Sequence, residues 1–528
     1  MPVYDYIIVG GGISGLFSAY QLAKTGKSIL LVESTNRWGG RLFTQKRKNV
    51  QFEMGGARIS SKHKKVMSLL QEFNLESTLL PLPDKISYHY SGPRIEFYSL
   101  LHDLVEGSKL YSKKYLQSVN LLQLCFDVLG KQMTTVLKTK LGYDSEFEQM
   151  NAHQALRAFK QDLFSKSDYF ILQGGFSSLL DKLVQSLTES ENVTLQLETQ
   201  VTEIGKNFVT ITKRKVFGNT IVCCVPKETL QQFHKFASIT EVKDVTEIPL
   251  LRIYAKYPKD KSGKVWFHKL NRTITDNYIR HIIPIDPESG LIMISYTDGL
   301  YATMWSRIAK LGDKQLIKHL HKEINEVLKI TPPKPEWITS YFWSAGVHMW
   351  KPGVIVDDAY ERIIKPFPNE NVYVINEAYS LHQCWVEGSL SMCYDVLQRL
   401  DSNFKHIGGK AKRRNMKRNN TQDTTKPKRT KLFTIKQVMK HKHWIVLDIK
   451  GQLRIYDVRL WLQDHPGGAD NLKRGIEANK YYLDKDKYPE SPIQLFKQIG
   501  RHATGKVIQN FLLKPNNKVS YVGKLKKT

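Results

Sequence analysis

Near its start the chain contains the run Tyr6-Ile7-Ile8-Val9-Gly10-Gly11-Gly12-Ile13-Ser14-Gly15. Apolar residues with high strand propensity precede the glycines, and an apolar pattern typical of a helix follows from Leu16 to Leu22. The run therefore predicts a strand, a tight glycine turn and a helix. Gly10 allows the turn, Gly12 lets the backbone approach a pyrophosphate, and Gly15 lets helix and strand pack closely. The free N–H groups at the helix N-terminus would bind the phosphates.

A second predicted strand, Ser28 to Val32, ends in Glu33, 18 residues after Gly15. An acid at that strand end accepts hydrogen bonds from ribose hydroxyls. A glycine turn alone is a weak signal, because such turns also occur without a ligand. Here the strand, the helix and the acid all occur at the spacing that a dinucleotide site requires. The residues expected to contact the dinucleotide are Gly10, Gly12, Ile13, Ser14, Gly15, Glu33 and Ser34.

Two further motifs follow, Trp38-Gly39-Gly40-Arg41 and Phe52-Glu53-Met54-Gly55-Gly56-Ala57-Arg58. The series resembles the flavin amine oxidases, a family that includes monoamine, polyamine and L-amino-acid oxidases and histone demethylases. The resemblance implies FAD as the cofactor. It also implies that Arg41 contacts the dinucleotide phosphates and that the turn Gly55, Gly56, Ala57 and Arg58 runs past the flavin ring.

Three later residues or motifs extend this resemblance. It implies that Val201 touches the adenine, although Val201 on its own reads as an ordinary strand residue. Val372-Tyr373-Val374-Ile375-Asn376-Glu377-Ala378 matches the strand whose glutamate, here Glu377, lies near the ribityl phosphate. Cys384-Trp385-Val386-Glu387-Gly388-Ser389 opens a helix predicted to reach Leu400. The resemblance places Trp385 and Val386 at the flavin pyrimidine, where a helix N-terminus stabilises negative charge.

The chain departs from the family pattern in two ways. Asn376 replaces the usual glycine, so a strained turn is expected to be relaxed there. No cysteine occupies the position that monoamine oxidases use for covalent flavin attachment. The FAD is therefore expected to be non-covalent.

The strip from Gly56 to His63 looks most like the L-amino-acid oxidase branch, in which an arginine at the place of Arg58 holds the substrate carboxylate. A guanidinium offers a planar bidentate fork that fits a carboxylate. The alternative is that Arg58 forms a structural ion pair beside the cofactor. Trp385 aligns with the aromatic residue that flanks the substrate, and the alternative for it is simple packing.

Many family members hold a lysine that orders a water near flavin N5. The corresponding strand is Leu250 to Lys256, with Arg252 in the lysine position. Because arginine stays charged and is bulkier, the resemblance leaves the rate and the oxygen reactivity open. Lys256, on the same strand face, is a weaker substitute.

Composition sets the outer bounds of the interpretation. The 528 residues, 41% apolar, are enough for two to four domains. The net charge of +29 would attract nucleic acid or anionic membrane, but general lysine abundance is the favoured explanation. Five scattered cysteines, no long apolar run and no N-terminal signal predict an intracellular, cytoplasmic protein without integral membrane contact, nuclear or virion-associated locations being the alternatives.

The segment Lys405–Lys431 has eleven basic residues against one acid, Asp423. It cannot bury enough apolar surface to fold and is predicted to be a disordered linker. The predicted domains are therefore 1–403, the linker 404–431, and 432–525. Basic clusters in the linker resemble a nuclear localisation signal, but a solubilising linker without nucleic-acid contact is favoured.

The last domain resembles cytochrome b5. His465-Pro466-Gly467-Gly468 matches that family's first haem-binding turn, and His502 in Ile499–Thr504 matches its second. The resemblance implies haem b held by His465 and His502. Two imidazoles saturate the iron and leave only one-electron transfer. The two histidines lie 37 residues apart, longer than is usual for that family.

Together these features predict an α/β fold: a Rossmann-type FAD-binding domain with an interleaved α+β substrate domain, followed by a small α+β cytochrome b5-like domain. The expected function is FAD-dependent oxidation of an amine or L-amino acid to the imine or keto product. The haem would relay electrons, with O2 or a redox partner as acceptor. The alternatives are a chromatin- or nucleic-acid-associated demethylase and a degenerate flavin and haem protein with a structural role in a virion.

Overall fold

The computed structural model describes residues 3–401 except 48, 83–84 and 164–167, and further residues at 404, 432–441, 444–449, 452–457, 473–474, 476–482, 484 and 520–525. The chain divides into two compact units, Met1–Lys412 and Arg413–Thr528. The division falls inside the predicted linker. His465 and His502 lie outside the described residues.

The strands of the first unit are β1 Val3–Val9, β2 Ile29–Val32, β3 Thr44–Arg47, β4 Val50–Glu53, β5 Ile59–Ser60, β6 Leu79–Pro81, β7 Ile86–His89, β8 Tyr169–Leu172, β9 Val193–Gln196, β10 Val201–Ile204, β11 Phe208–Ile211, β12 Arg214–Cys223, β13 Val245–Lys256, β14 Arg272–Thr275, β15 His281–Asp286, β16 Leu291–Asp298, β17 Trp337–Trp350 and β18 Val372–Val374. Its helices are α1 Ile13–Ala23, α2 Lys64–Glu72, α3 Phe97–Ser108, α4 Lys113–Ser118, α5 Leu121–Leu141, α6 Ser145–Glu148, α7 Ala152–Asp162, α8 Ser177–Thr188, α9 Lys227–Gln232, α10 Gly299–Ala309, α11 Asp313–Leu328, α12 Val356–Ile364 and α13 Val386–Leu400.

The first sheet carries the glycine turn. Its order is β10-β11-β12-β1-β2-β9, and β18 pairs with β12. The strands β9, β2, β1, β12 and β18 run parallel, with Ile7 between Leu30 and Ile221. Parallel strands covered on both faces are apolar throughout, and every residue of β2 is buried. The carboxyl ends of β1, β2 and β18 consequently bring the glycine turn, Glu33 and the Asn376–Glu377 pair to one edge.

The second large sheet of this unit has six strands. Its order is β17-β13-β16-β15-β14-β7, and the long strands β13 and β17 pair antiparallel along most of their length. The fold is thus mixed α/β, as the sequence predicts. The second sheet is mainly antiparallel, with β7 and β14 pairing parallel, and its strands alternate along the chain with segments of the first sheet.

The apolar pattern from Lys114 to Lys138 is typical of one continuous helix. The structure instead ends α4 at Ser118 and begins α5 at Leu121, so a single helix would be the wrong prediction here. Asn120 caps the new helix because its side chain accepts a hydrogen bond from Gln123 N. A second interruption lies within α5 at Gly130, where φ is 76°. Apolar periodicity does not reveal such interruptions, since it continues across them.

The second unit contains a sheet of order β19-β22-β21-β20. Its elements are β19 Leu432–Phe433, α14 Ile435–Met439, β20 Trp444–Ile449, β21 Gln452–Asp457 and β22 Ser520–Leu525. Thr434 and Gln437 form a reciprocal capping box at the start of α14. Val438, Val446 and Ile455 are fully buried and form a small core.

Candidate active site

A cavity of about 900 Å³ is lined by residues of both large sheets of the first unit and of the segments that follow their strands. One part, which we call the dinucleotide end, is lined by the glycine turn, Glu33, Arg41 and Glu377. The other part, the substrate end, is lined by Arg58, Tyr143, Glu146, Arg252, Tyr296, Asp298 and Trp385.

The glycines at positions 10, 12 and 15 of the turn have different surroundings. Gly10 has φ +106°, and a Cβ there would lie 2.7 Å from Cys224 O. A Cβ on Gly15 would lie 1.9 Å from Gly10 O, so only glycine lets α1 pack on the turn. A Cβ on Gly12 would instead meet open cavity, with no atom within 4 Å. No side chain caps the N-terminus of α1, so its N–H groups face a space that fits a pyrophosphate.

The carboxylate of Glu33 is held in place by backbone groups. Its Oε2 accepts a hydrogen bond from Gly11 N at 2.8 Å, and its Oε1 accepts one from Thr35 N at 2.9 Å. Oε1 also accepts from the hydroxyls of Thr35 and Ser34, whereas Oε2, with one donor, keeps further acceptor capacity. This free capacity suits a ribose hydroxyl.

Glu377 belongs to a chain of charged groups, Arg41, Glu377, His348 and Glu228, which we call the charge chain. Arg41 Nη1 donates to Glu377 Oε2 at 2.6 Å. His348 Nδ1 lies 3.2 Å from Glu377 Oε2, and His348 Nε2 lies 3.2 Å from Glu228 Oε1. Because both ring nitrogens face carboxylates, both must carry protons, and His348 is an imidazolium.

The charge chain shifts the pKa of two of its members. Burial would raise the pKa of Glu377, but the Arg41 charge and the His348 hydrogen bond outweigh it and lower this pKa to about 2. Burial would lower the pKa of His348, but the hydrogen bonds to Glu228 and Glu377 raise it above its ordinary value of 6.5. Both shifts favour the charged forms of Glu377 and His348.

Asn376 does not occupy a strained turn. Its backbone is extended, with φ −163° and ψ 169°. The side-chain oxygen accepts a hydrogen bond from Ala378 N at 2.8 Å, and the amide donates to Val225 O at 2.7 Å. The backbone at Asn376 is therefore not strained, and the Asn376 side chain links the residues that follow the neighbouring strands β12 and β18.

Arg58 lies at the substrate end. Its Nη2 donates to Tyr143 Oη at 3.0 Å, and its guanidinium carbon lies 5.8 Å from the centre of the Trp385 ring. Among the ion pairs of the described residues, none involves Arg58. The alternative of a structural ion pair beside the cofactor is thus not realised in this part of the chain.

Trp385 immediately precedes α13, whose first turn lines the cavity. The edge of His63 packs against the Trp385 ring at a centroid distance of 4.7 Å. Behind it, His382 Nε2 lies 3.0 Å from Asp162 Oδ1. Burial would raise the pKa of Asp162, but hydrogen bonds with His382 and His63 lower it to about 2. These contacts orient Trp385 from outside the cavity.

His63, Asp162 and His382 are the group of side chains in the described residues with the spacing of metal ligands. Ser60 N, however, donates a hydrogen bond to His63 Nδ1 at 3.2 Å. The ring proton must then sit on Nε2, the atom that faces Asp162. A protonated nitrogen cannot bind a metal, so this group is better described as a polar cluster around the Asp162 carboxylate.

Arg252 lines the cavity but is committed to protein partners. Its Nη1 donates to Glu53 O at 2.8 Å, and its guanidinium carbon lies 4.7 Å from the centre of the Tyr296 ring. Lys256 Nζ donates a hydrogen bond to Glu336 Oε2 at 2.8 Å. Lys256 does not line the cavity.

The cavity brings together most residues singled out in the sequence: Gly10, Gly12, Ile13, Ser14, Glu33, Ser34, Arg41, Gly55, Gly56, Ala57, Arg58, Val201, Arg252, Glu377, Trp385 and Val386. Gly15 lies beneath the turn rather than on the cavity wall, as its packing role requires. Local sequence patterns did not single out Glu228, Tyr143 and Glu146, which line the cavity, or the buried His348, which pairs with Glu377 and Glu228. Nothing in their local sequence distinguishes them, because their positions depend on the pairing of distant segments.

A family model described as flavin containing amine oxidoreductase matches residues 13–391. The chain belongs to this family. This oxidoreductase is accordingly FAD-dependent, and the glycine turn, Glu33 and the open space above Gly12 fit that cofactor. The matched span contains every lining residue of the cavity except Val9, Gly10 and Gly12.

Several known proteins resemble this oxidoreductase. Uncharacterized protein R188 of Acanthamoeba polyphaga mimivirus is 23% identical over 483 residues, covering 74% of this chain and 93% of that protein. Aplysianin-A of Aplysia kurodai is 22% identical over 507 residues, covering 74% of this chain and 89% of that protein. The flavin-containing amine oxidase A of Equus caballus is 30% identical over 96 residues, 18% of each chain.

Among solved structures, a candidate protoporphyrinogen oxidase from Exiguobacterium sp. 255-15 superimposes with a TM-score of 0.57 at 15% identity. The match covers 75% of this chain and 100% of that one. At this identity the likeness supports the fold alone. In the part of the oxidoreductase that the structure describes, helices are either too short or too polar to cross a bilayer.

Proposed function

We propose that the oxidoreductase oxidises an L-amino acid to the α-imino acid, which water then hydrolyses to the keto acid and ammonia. The observation that carries this proposal is the guanidinium of Arg58, which faces the cavity without a carboxylate partner among the described residues. A cation shielded from water is costly unless it is paired. A substrate carboxylate would supply the missing partner and a bidentate contact.

The residues of the cavity would position the substrate for oxidation. FAD, when bound, accepts the two electrons and the hydrogen that leave the substrate α-carbon as the C=N bond forms. Arg58 would hold the carboxylate, and Trp385 would pack against the side of the substrate. The α-amine must lose its proton first, and removal of the amine from water would favour its neutral form because it lowers the amine pKa.

The test is anaerobic reduction of the flavin by matched pairs of substrates. L-leucine should reduce the flavin faster than 3-methylbutylamine, which differs only by the carboxylate. Arg58→Ala should weaken amino-acid binding by roughly 2–5 kcal/mol, since it removes one partner of a charge-assisted pair. Arg58→Lys keeps the charge but loses the bidentate geometry, so its affinity for the amino acid should lie between those of the wild type and Arg58→Ala.

Two results would contradict the proposal. Simple amines could reduce the wild-type flavin better than the matching amino acids, or Arg58→Ala could leave the concentration dependence for L-leucine unchanged. Reduction by the amine should be insensitive to Arg58→Ala, which makes it the internal control for folding and FAD content.

We further propose that the C-terminal unit binds haem b through His465 and His502 and receives electrons from the reduced flavin singly. The support is the HPGG turn at His465 in the sequence, together with the folded core of Val438, Val446 and Ile455 in the same unit. The full chain should show a haem absorbance band that His465→Ala removes. Anaerobic substrate should reduce the flavin first and the haem second. A full chain purified without any haem band would refute this assignment.

A further inference from the structure

Glu146 is an acidic residue of the substrate end that the proposed chemistry does not use. It lies in the short helix α6, three residues after Tyr143, the hydroxyl partner of Arg58. Both Glu146 and Tyr143 line the cavity. Among the described residues, no donor supplies a hydrogen bond to its carboxylate and no cation pairs with it. It thus resembles Arg58 in facing the cavity without a counter-charge.

The other acid of this wall, Asp298, is already satisfied. Its Oδ2 accepts a hydrogen bond from Ser145 N at 2.7 Å, and its Oδ1 accepts one from Asp144 N at 3.2 Å. Asp298 therefore fixes the start of α6, the helix that carries Glu146. A neighbouring cation, Arg280, pairs with Asp144 rather than with Glu146.

The surroundings of Glu146 do not fully compensate a negative charge on its carboxylate. Burial raises the pKa of Glu146 to about 8, and the negative charges of Asp298 and Asp162 add to this effect, while Arg58 offsets only part of it. These surroundings therefore favour the neutral form of the side chain. A cation arriving beside it would favour the ionised carboxylate.

Arg58 and Glu146 thus present one unpaired positive and one unpaired potential negative charge to the same space. A ligand that satisfies both carries an anionic group and a cationic group. Because the reacting amine must be neutral, the cationic group has to be a second one. Arg252, which also lines this end, donates to the Glu53 carbonyl and lies over the Tyr296 ring.

We propose that Glu146 is a specificity-determining residue that binds a cationic group on the substrate side chain, so that the preferred substrates are basic L-amino acids. This inference rests on the proposed function and deepens it, because Arg58 must hold the α-carboxylate for Glu146 to meet the far end of the same molecule.

The test compares L-lysine with L-norleucine, which matches it in chain length but lacks the terminal ammonium. Anaerobic flavin reduction is followed for the full-length holoprotein over a range of substrate concentrations. The wild type should be half-saturated at a lower concentration of L-lysine than of L-norleucine. Glu146→Gln should raise the half-saturating concentration of L-lysine at least about tenfold, as loss of a shielded charge partner does, and should leave that of L-norleucine nearly unchanged.

Glu148→Gln is the matched control. Glu148 lies on the same helix but is exposed and pairs with Lys138 outside the cavity. Its substitution should change neither substrate. Glu146→Asp, which keeps the charge on a shorter side chain, should retain part of the preference for L-lysine.

The outcomes separate this inference from the proposed function. If amines outperform amino acids and Arg58→Ala has no effect, the proposed function fails. If amino acids are oxidised with Arg58 required, yet L-lysine and L-norleucine saturate alike, the Glu146 inference alone is overturned. An equal loss on both substrates in Glu146→Gln would also overturn it, because Glu146 would then act on the α-amine or on the fold.

Discussion

The two ends of the cavity differ in how their charges are paired. At the dinucleotide end, the charge chain pairs acidic with basic side chains, and backbone N–H groups hold the Glu33 carboxylate. At the substrate end, Arg58 and Glu146 face the same space without pairing. An end that holds one constant cofactor can be completed by the protein itself. An end that exchanges substrate must leave charges for the substrate to complete, at some cost in stability.

The largest effect should come from filling the cradle at the dinucleotide end. Gly12→Val would place a branched side chain in the open space above α1, where no protein atom lies within 4 Å. The apoprotein should therefore fold normally, but FAD affinity should fall by more than about 100-fold, or about 2.8 kcal/mol. Titration of the apoprotein with FAD measures this loss, and Gly12→Ala should have a smaller effect. Unchanged FAD affinity in Gly12→Val would show that this space does not hold the cofactor.

The next effect concerns the charge chain and depends on pH. The groups that face His348 are Glu377, Glu228 and Arg41. Its pKa is raised in the folded protein, so the stabilisation is fully present below pH 6.5, the ordinary value, and is lost as pH rises through the raised value. FAD affinity and the free energy of unfolding should therefore both decrease on the alkaline side.

His348→Asn should remove this pH step and weaken FAD binding below it by roughly tenfold or more, because two carboxylates lose a cation. The exposed His234 provides the matched control, His234→Asn. Measurement consists of FAD titrations from pH 5.5 to about 9. Parallel pH curves for wild type and His348→Asn would contradict the imidazolium assignment.

A smaller effect is expected where a neutral amide completes the dinucleotide end. Asn376→Ala would leave Ala378 N and Val225 O without their buried partner, which costs about 1–3 kcal/mol. Chemical denaturation of the FAD-free protein measures this loss. Asn207→Ala, at an exposed position, is the control and should change the free energy of unfolding by less than about 0.5 kcal/mol. Equal stabilities for the two variants would mean that the amide bridge contributes nothing.

The smallest effect should come from Lys256, which lies outside both ends of the cavity. Its partly exposed ion pair with Glu336 is worth at most about 1 kcal/mol. Lys256→Met should leave the rate of flavin reduction within about twofold of wild type. A large loss of rate would restore Lys256 as a candidate for the missing catalytic lysine.

Local patterns predicted the elements that carry the cofactor site. The alternation of apolar runs with the glycine turn places β1, α1 and β2 where the structure has them. The same patterns did not predict the interruption at Asn120 or the kink at Gly130. Capping and positive φ are decided by one or two residues within an otherwise continuous apolar pattern, and Asn and Gly are also tolerated inside helices.

By itself, the sequence determined which chemistry is possible at each end. Gly10, Gly12 and Gly15 act within one short turn, so their spacing alone predicts their roles. Arg58 was likewise recognisable from its neighbours in the strip after Gly55 and Gly56.

Only the tertiary structure decided which charges are paired. Arg41 and Glu377 are 336 positions apart and meet because β18 joins the parallel sheet beside β12. Glu146 shares a cavity with Arg58 because Asp298, at the end of β16, anchors the backbone of α6. Contacts between such distant segments depend on sheet order and register, which local residue patterns do not encode. Whether a charge is left for a ligand is therefore a property of the folded chain.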